Sequence, residues 1–142
     1  MEYTDIDQLT DRFGTQMLVN LTDRSDPRTG AVDMDIIARA IADTQAVIDG
    51  YLGGKYALPL TELPALIAEL SATIAIYKLH IYTPDDKIAK DYEQALKSLK
   101  DIAHGTIKLS VAGVPSASGQ SSGARLTDRK RPMTAANMTG YI

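Results

Sequence analysis

The chain has 142 residues and a formal net charge of −3, with 44% hydrophobic and 23% charged residues. These values are typical of one soluble globular domain, and the absence of cysteine excludes disulfides and thiolate metal sites. The acidic start at residues 1–5 predicts no signal peptide, and no apolar run approaches the roughly 18 residues of a membrane span, so we expect a cytoplasmic protein by default.

The first 30 residues predict short elements followed by a loop. Thr4 followed by Asp7 resembles a capping box with Asp in place of Glu, which predicts a helix to about Arg12. A second apolar run at residues 17–21 has helical or turn-like spacing, and both alternatives stay open. Residues 22–30 combine Asp, Ser, Pro and Gly without an apolar side chain, which predicts a loop.

Three longer apolar stripes predict the helices that form the body. The first helix runs from a capping Asp33 to about residue 52. The second, at residues 63–81, is apolar almost all round, which is typical of a central helix. The third begins with a cap at Thr83 and Pro84 in the first turn, and it ends at Gly105. The stripes consist of Ile37, Ala40, Ile41, Thr44, Ile48, Tyr51 and Leu52; of Leu66, Ile67, Leu70, Ile74, Tyr77 and Ile81; and of Ile88, Tyr92, Ala95, Leu96, Leu99, Ile102 and Ala103.

The connector at residues 53–62, which we call the elbow, is the most distinctive segment. Gly53-Gly54 predicts a helix end through a left-handed residue. Pro59 and Pro64 predict an extended path, because the residue before a proline is pushed out of the helical region. Side chains of an extended segment alternate between two sides, so one set would be free to contact a neighbouring subunit. The expected subunit-interface residues are Lys55, Tyr56, Leu58 and Pro59.

The chain from residue 106 onward differs from the body in composition and charge. It has five basic side chains and one acidic side chain, a net charge of +4, which leaves −7 for residues 1–105. Residues 107–114 favour one short strand, and residues 115–124 form a linker rich in Ser, Gly and Ala. We therefore expect a helical body at 1–105 and an extended, flexible basic tail at 106–142 that has an anionic counter-surface. Three alternatives for that surface stay open: another copy of the body, a different acidic protein, and nucleic acid. The expected partner-binding residues of the tail are Arg125, Arg129, Lys130, Arg131 and Tyr141.

No motif for catalysis or metal binding is present in recognisable form. His80 and His104 lack a third ligand at metal-binding spacing. Residues 23–35 faintly resemble a calcium loop, but they contain a proline and two arginines and lack the closing Glu. Gly53-Gly54-Lys55 lacks phosphate-loop spacing, and residues 129–131 lack the interleaved aromatic side chains of nucleic-acid platforms. We expect neither an enzyme nor a cofactor or metal site.

Several motifs occur in an order that resembles a known family. They are Phe13-Gly14, Leu21-Thr22-Asp23-Arg24, Ile48-Asp49-Gly50-Tyr51-Leu52, Lys55-Tyr56-Ala57-Leu58-Pro59-Leu60 and Pro64. With these motifs the chain resembles the phage Mu-type head–tail connector proteins of tailed phages and prophages. The resemblance covers residues 1–105 and, more loosely, a tail with Arg125-Leu126-Thr127-Asp128-Arg129 and a final Gly140-Tyr141.

The resemblance implies a mainly α subunit, a small bundle of about four helices, in the neck of a virion after assembly in the host cytoplasm. It implies a homo-oligomeric ring, with twelve copies expected, that contacts the portal protein and a tail-side neck protein. DNA would pass through the ring without sequence-specific binding, which suits an acidic body, and no membrane is expected. Two alternatives stay open: a tail terminator or stopper of the same neck, and a small helical binding or regulatory module whose basic tail contacts nucleic acid.

Overall fold

The computed structural model describes residues 2–111 and contains five α-helices in that range. They are α1 (Ile6–Phe13), α2 (Thr15–Thr22), α3 (Met34–Leu52), α4 (Ala65–Leu79) and α5 (Asp86–His104). The predicted mainly α bundle is confirmed, and the undecided run at residues 17–21 is helical, within α2. Residues 107–111 form no strand, so that part of the strand prediction is wrong, and residues 112–114 lie outside the described residues.

The longest three helices pack on one another, and α1 packs on α2 and on α4. Helix α4 is the central one, because eight of its 15 residues are buried on several sides. Every predicted stripe faces the core, although its edges are less covered than its centre. Buried stripe residues are Ile37, Ala40, Ile41, Thr44, Ile48, Leu52, Ile67, Leu70, Ile74, Ala95, Leu99 and Ile102.

The core consists of two hydrophobic clusters that share α3 and α4. The first cluster joins the second half of α3, the elbow and α5 to the first half of α4. The second cluster joins α1 and α2 to the other halves of α3 and α4. Tyr3 precedes α1 but belongs to the first cluster, where its hydroxyl donates a hydrogen bond to the carboxylate of Asp49. Burial, together with this hydrogen bond and the negative charge of Asp49, raises the pKa of Tyr3.

One of the two predicted N-caps before residue 60 is confirmed and the other is wrong. The carboxylate of Asp33 accepts hydrogen bonds from the amides of residues 35 and 36 at 3.0 and 3.3 Å, which caps α3 as predicted. Helix α1 is capped by Asp5 and not by Thr4, since the Asp5 carboxylate accepts from the Gln8 amide at 2.8 Å. Aspartate is a better N-cap than threonine, and here it lies at the spacing that reaches the third helical residue.

The connection between α4 and α5 starts earlier and ends later than predicted. Helix α4 ends two residues before Ile81, so this side chain is 60% exposed instead of facing the core. The cap predicted at Thr83 is wrong, because α5 begins after Asp85, which makes no side-chain capping hydrogen bond. Pro84 disfavours a helical conformation at the residue before it, and residues 80–85 therefore form a connector with two exposed apolar side chains.

Helix α5 ends at Gly105, as predicted, with a left-handed φ of 82°. The amide of Thr106 donates to the carbonyl of Asp101 at 2.8 Å, which is the long hydrogen bond of a Schellman motif. The chain then packs back on the bundle, and Leu109 and Val111 are buried in the first cluster. The packed body therefore extends to residue 111, beyond the boundary expected at residue 105.

Within residues 2–111, no helix combines the length and the apolar character needed to cross a membrane.

Candidate functional site

The elbow begins with a turn at residues 53–55 instead of the extended path that was predicted. The amides of Lys55 and Tyr56 both donate to the carbonyl of Leu52 at 2.9 Å. Gly53 has a right-handed φ of −59°, and Gly54 has no positive φ, so the predicted left-handed helix end is wrong. The reason is that the Gly53 amide still bonds the carbonyl four residues earlier, at 2.9 Å, which continues the helical pattern past α3.

The four expected interface residues of the elbow do not share one surface. Tyr56 is only 8% exposed, and its hydroxyl accepts a hydrogen bond from the amide of Leu109 at 3.0 Å. Lys55 is half-buried, whereas Leu58 and Pro59 are exposed. Tyr56 therefore holds the segment after α5 against the bundle, and its expected contact with a neighbouring subunit stays a prediction. Of the four expected interface residues, Leu58 and Pro59 are the exposed ones.

This position of Tyr56 predicts a folding defect and not a pure assembly defect. Tyr56→Ala should destabilise the protein by about 3–5 kcal/mol, as removal of a buried aromatic ring does. Tyr56→Phe should cost about 1–3 kcal/mol, because the buried Leu109 amide loses its acceptor. The exposed Leu58→Ala is the control and should stay within about 0.5 kcal/mol of wild type in urea denaturation. A Tyr56→Ala variant with wild-type stability would contradict this structural role of the ring.

Two polar side chains at the end of α2 organise the loop at residues 23–33. The Thr22 hydroxyl donates to the Leu18 carbonyl at 2.7 Å and accepts from the Asp33 amide at 3.0 Å. The Asp23 carboxylate, which is 5% exposed, accepts from the Gly30 amide at 2.7 Å. Both ends of the loop are thus tied to α2, so these two residues of the motif at 21–24 have a structural role.

Acid should weaken this loop, because hydrogen bonds from Gly30 and Thr29 hold the pKa of Asp23 below its ordinary value. The pKa of an Asp side chain in the unfolded chain is about 3.9. The stabilisation by the Asp23 carboxylate is therefore complete above that pH and is lost as the pH falls through the lower folded-state pKa. We expect Asp23→Asn to be less stable at neutral pH and to lose less stability below about pH 4. Thermal melts of Asp23→Asn and of Asp26→Asn, an exposed carboxylate of the same loop, would measure this. Equal acid dependence in both variants would contradict it.

A groove of about 400 Å³ lies between this loop and the α4–α5 connector. We call it the arginine groove, and its lining includes Arg24, Arg28, His80, Ile81, Tyr82 and Thr83. Arg24 donates to the Leu79 carbonyl at 3.4 Å, and Tyr82 is 85% exposed. Asp23 also lines the groove, but its carboxylate already bonds the loop. The groove therefore offers positive charge beside exposed apolar surface.

A smaller groove of about 190 Å³ lies between the N-terminal segment and α3. We call it the acidic groove, and its lining includes Glu2, Asp5, Ile6, Met34, Ile37 and Ile41. Its two charged residues are acidic and exposed, and Met34 is 54% exposed. The acidic groove therefore combines negative charge with an apolar floor.

Sequence reasoning did not predict either groove, although local signals for both exist. Pro84 restricts Thr83, which could have placed Ile81 and Tyr82 in a connector outside the helix. Met34 follows the cap of α3 and lies off the predicted stripe. Neither signal shows which distant segments meet, so the grooves themselves needed the tertiary structure.

The other residues considered in the sequence analysis are the five tail residues and the two histidines. The tail residues Arg125, Arg129, Lys130, Arg131 and Tyr141 lie outside it. His80 donates through Nδ1 to the Ile76 carbonyl at 2.7 Å, and His104 is exposed in the last turn of α5. Among residues 2–111, no three His, Cys, Asp or Glu side chains are grouped to hold a metal ion.

Comparison with known proteins identifies similar phage and prophage sequences. The family described as "Bacteriophage Mu, Gp36" matches residues 3–128. The "Mu-like prophage FluMu protein gp36" of Haemophilus influenzae is 34% identical over 86 residues, and the chain covers 61% of the length of that relative. The same alignment spans 61% of this chain. "Gene product J" of Escherichia phage Mu is 25% identical over 142 residues, which is the full length of both proteins.

Proposed function

This chain belongs to the Bacteriophage Mu Gp36 family, and we propose that it is a structural subunit of a tailed-phage neck. The family and its relatives indicate a phage structural or morphogenesis protein. The more specific proposal is a non-enzymatic ring without cofactor that connects the portal and head to the tail. Its partners would be further copies of the chain, the portal protein and a tail-side neck protein.

The observation that carries the proposal is the family match over residues 3–128, which spans the bundle and reaches into the basic tail. The charge distribution supports it. A duplex moving through a channel would be repelled by a body with net charge −7 and would not be retained on it. The basic tail is then better suited to a protein surface than to the passing DNA.

Deletion of the gene in the producing phage tests the proposal. We expect filled heads and finished tails to accumulate separately, and we expect the chain supplied in trans to restore joined particles. Electron microscopy of the wild-type neck should show this chain as a ring between the portal and the tail. Tails of uncontrolled length would instead support a terminator. Joined particles that lack the chain would contradict a connector role.

A further inference from the structure

We infer that the arginine groove of one copy contacts the acidic groove of the next copy, as a head-to-tail contact that repeats around the ring. This inference rests on the proposed ring-forming function and adds the two surfaces that would build the ring. Its occupant is a second copy of this chain, because each groove supplies the charge that the other lacks.

The exposed apolar side chains are concentrated in these two grooves. Four large hydrophobic side chains are exposed in residues 2–111, and three of them, Met34, Ile81 and Tyr82, line the grooves. The fourth is Leu58 in the elbow. Exposed apolar surface with a charged rim is typical of protein contact sites. The distribution therefore marks both grooves as surfaces that another protein covers.

The charges of the two grooves are opposite. Arg24 and Arg28 are exposed in the arginine groove, and Glu2 and Asp5 are exposed in the acidic groove. A contact of either groove with itself would place like charges together, which costs free energy. A contact of one groove with the other pairs opposite charges around Met34, Ile81 and Tyr82.

The acidic groove and a small cavity beside the arginine groove lie on nearly opposite sides of α3. Met34 and Ile41 line the acidic groove, whereas Arg39 and Asp43 line a small cavity of about 90 Å³ that also includes Arg24 of the arginine groove. At about 100° per residue, the centres of these two α3 faces differ by roughly 160°. A contact between two different surfaces is heterologous, and it closes into a ring when the rotation between subunits allows it.

The basic tail is the competing occupant of the acidic groove, since its charge is also positive. It cannot occupy the arginine groove equally well, because that contact would bring like charges together. Pairing of the two grooves accounts for both surfaces at once, whereas tail binding leaves the arginine groove and its two exposed apolar residues uncovered.

Cross-linking in assembled particles tests the inference, and the absence of cysteine makes the chain suited to it. Phage carrying Met34→Cys together with Tyr82→Cys would be treated with a short bis-maleimide and analysed on a denaturing gel. We expect a ladder of trimers and higher species, because each copy would link to two neighbours. Each single variant should give no ladder. Met34→Cys with Gln94→Cys, an exposed position of α5 outside both grooves, is the matched control and should also give none.

A charge-reversal pair provides a second readout. Arg28→Glu in the cross-linking background should lower the yield of trimers about tenfold or more, since like charges would then face each other. Adding Glu2→Lys should recover most of that yield. Both residues are exposed, so neither change is expected to unfold the bundle. An Arg28→Glu variant that retains the full ladder would contradict the pairing of the arginine groove with the acidic groove.

Four further outcomes would overturn the inference. Dimers formed by Tyr82→Cys alone would show that the arginine groove meets its own copy. A ladder from Met34→Cys with Tyr141→Cys, without one from the groove pair, would assign the acidic groove to the tail. Joined particles that contain the double variant without any cross-link would remove the contact and leave the connector function intact. Absence of the chain from purified virions would instead refute the proposed function and the contact together.

Discussion

Replacing Ile74 with alanine is expected to destabilise the protein by about 2–5 kcal/mol. Ile74 is fully buried at 0% exposure in the middle of α4, where it belongs to the first cluster. The substitution removes three carbon atoms from the core, and the surrounding helices cannot collapse completely into the cavity. Thermal and urea denaturation of purified protein would measure the loss.

Ile81→Ala is the matched control, because the same side chain is 60% exposed in the connector after α4. Its free energy of unfolding should stay within about 0.5 kcal/mol of wild type. If Ile74→Ala melted at the wild-type temperature, α4 would not be the central helix of the bundle.

Removing residues 125–142 is expected to abolish the joining of heads to tails without lowering the melting temperature of the body. Every residue of the two hydrophobic clusters described above is retained in the truncated chain. The removed segment has four basic residues and one acidic residue, and it is expected to bind an acidic neighbour or the portal. The yield of infectious particles should fall at least about a hundredfold, as measured by plaque counts beside melts of the purified variant.

A full-length control separates charge from length in this experiment. Substitution of Arg125, Arg129, Lys130 and Arg131 by glutamine keeps the segment and Tyr141 but removes the positive charge. A similar loss of joining would assign the effect to charge, and normal joining would assign it to Tyr141 and the backbone. Normal yields from the truncated chain would show that the segment is dispensable.

The long helices could be predicted because their signal repeats over many turns. Ile48, Ile67 and Leu99 lie in three different predicted stripes, and each is fully buried. A stripe of this kind identifies a helix even when the predicted start of the helix is wrong by a few residues. Cap residues have no such redundancy, since Thr4 and Asp5 are neighbours and both residue types satisfy the same rule.

The elbow and the grooves could not be predicted because contacts between distant residues determine them. The hydrogen bond from the Leu109 amide to the Tyr56 hydroxyl joins positions 53 residues apart. Arg24 donates to the Leu79 carbonyl 55 residues away. Pro59 and Pro64 favoured an extended path, but burial of Tyr56 and the hydrogen bonds to the Leu52 carbonyl produce a turn at the start of the elbow.

The division of the core into two clusters determines which part of the subunit opens most easily. Helices α1 and α2 belong to the second cluster alone, while α3 and α4 are held by both. Local opening of α1 and α2 therefore leaves the first cluster intact, and their amide hydrogens should exchange with solvent faster than those of α4. Ile6 of α1 lines the acidic groove, so a neighbour bound there would hold this pair closed. Assembly would then slow hydrogen exchange most in the half of the subunit that is least protected when alone.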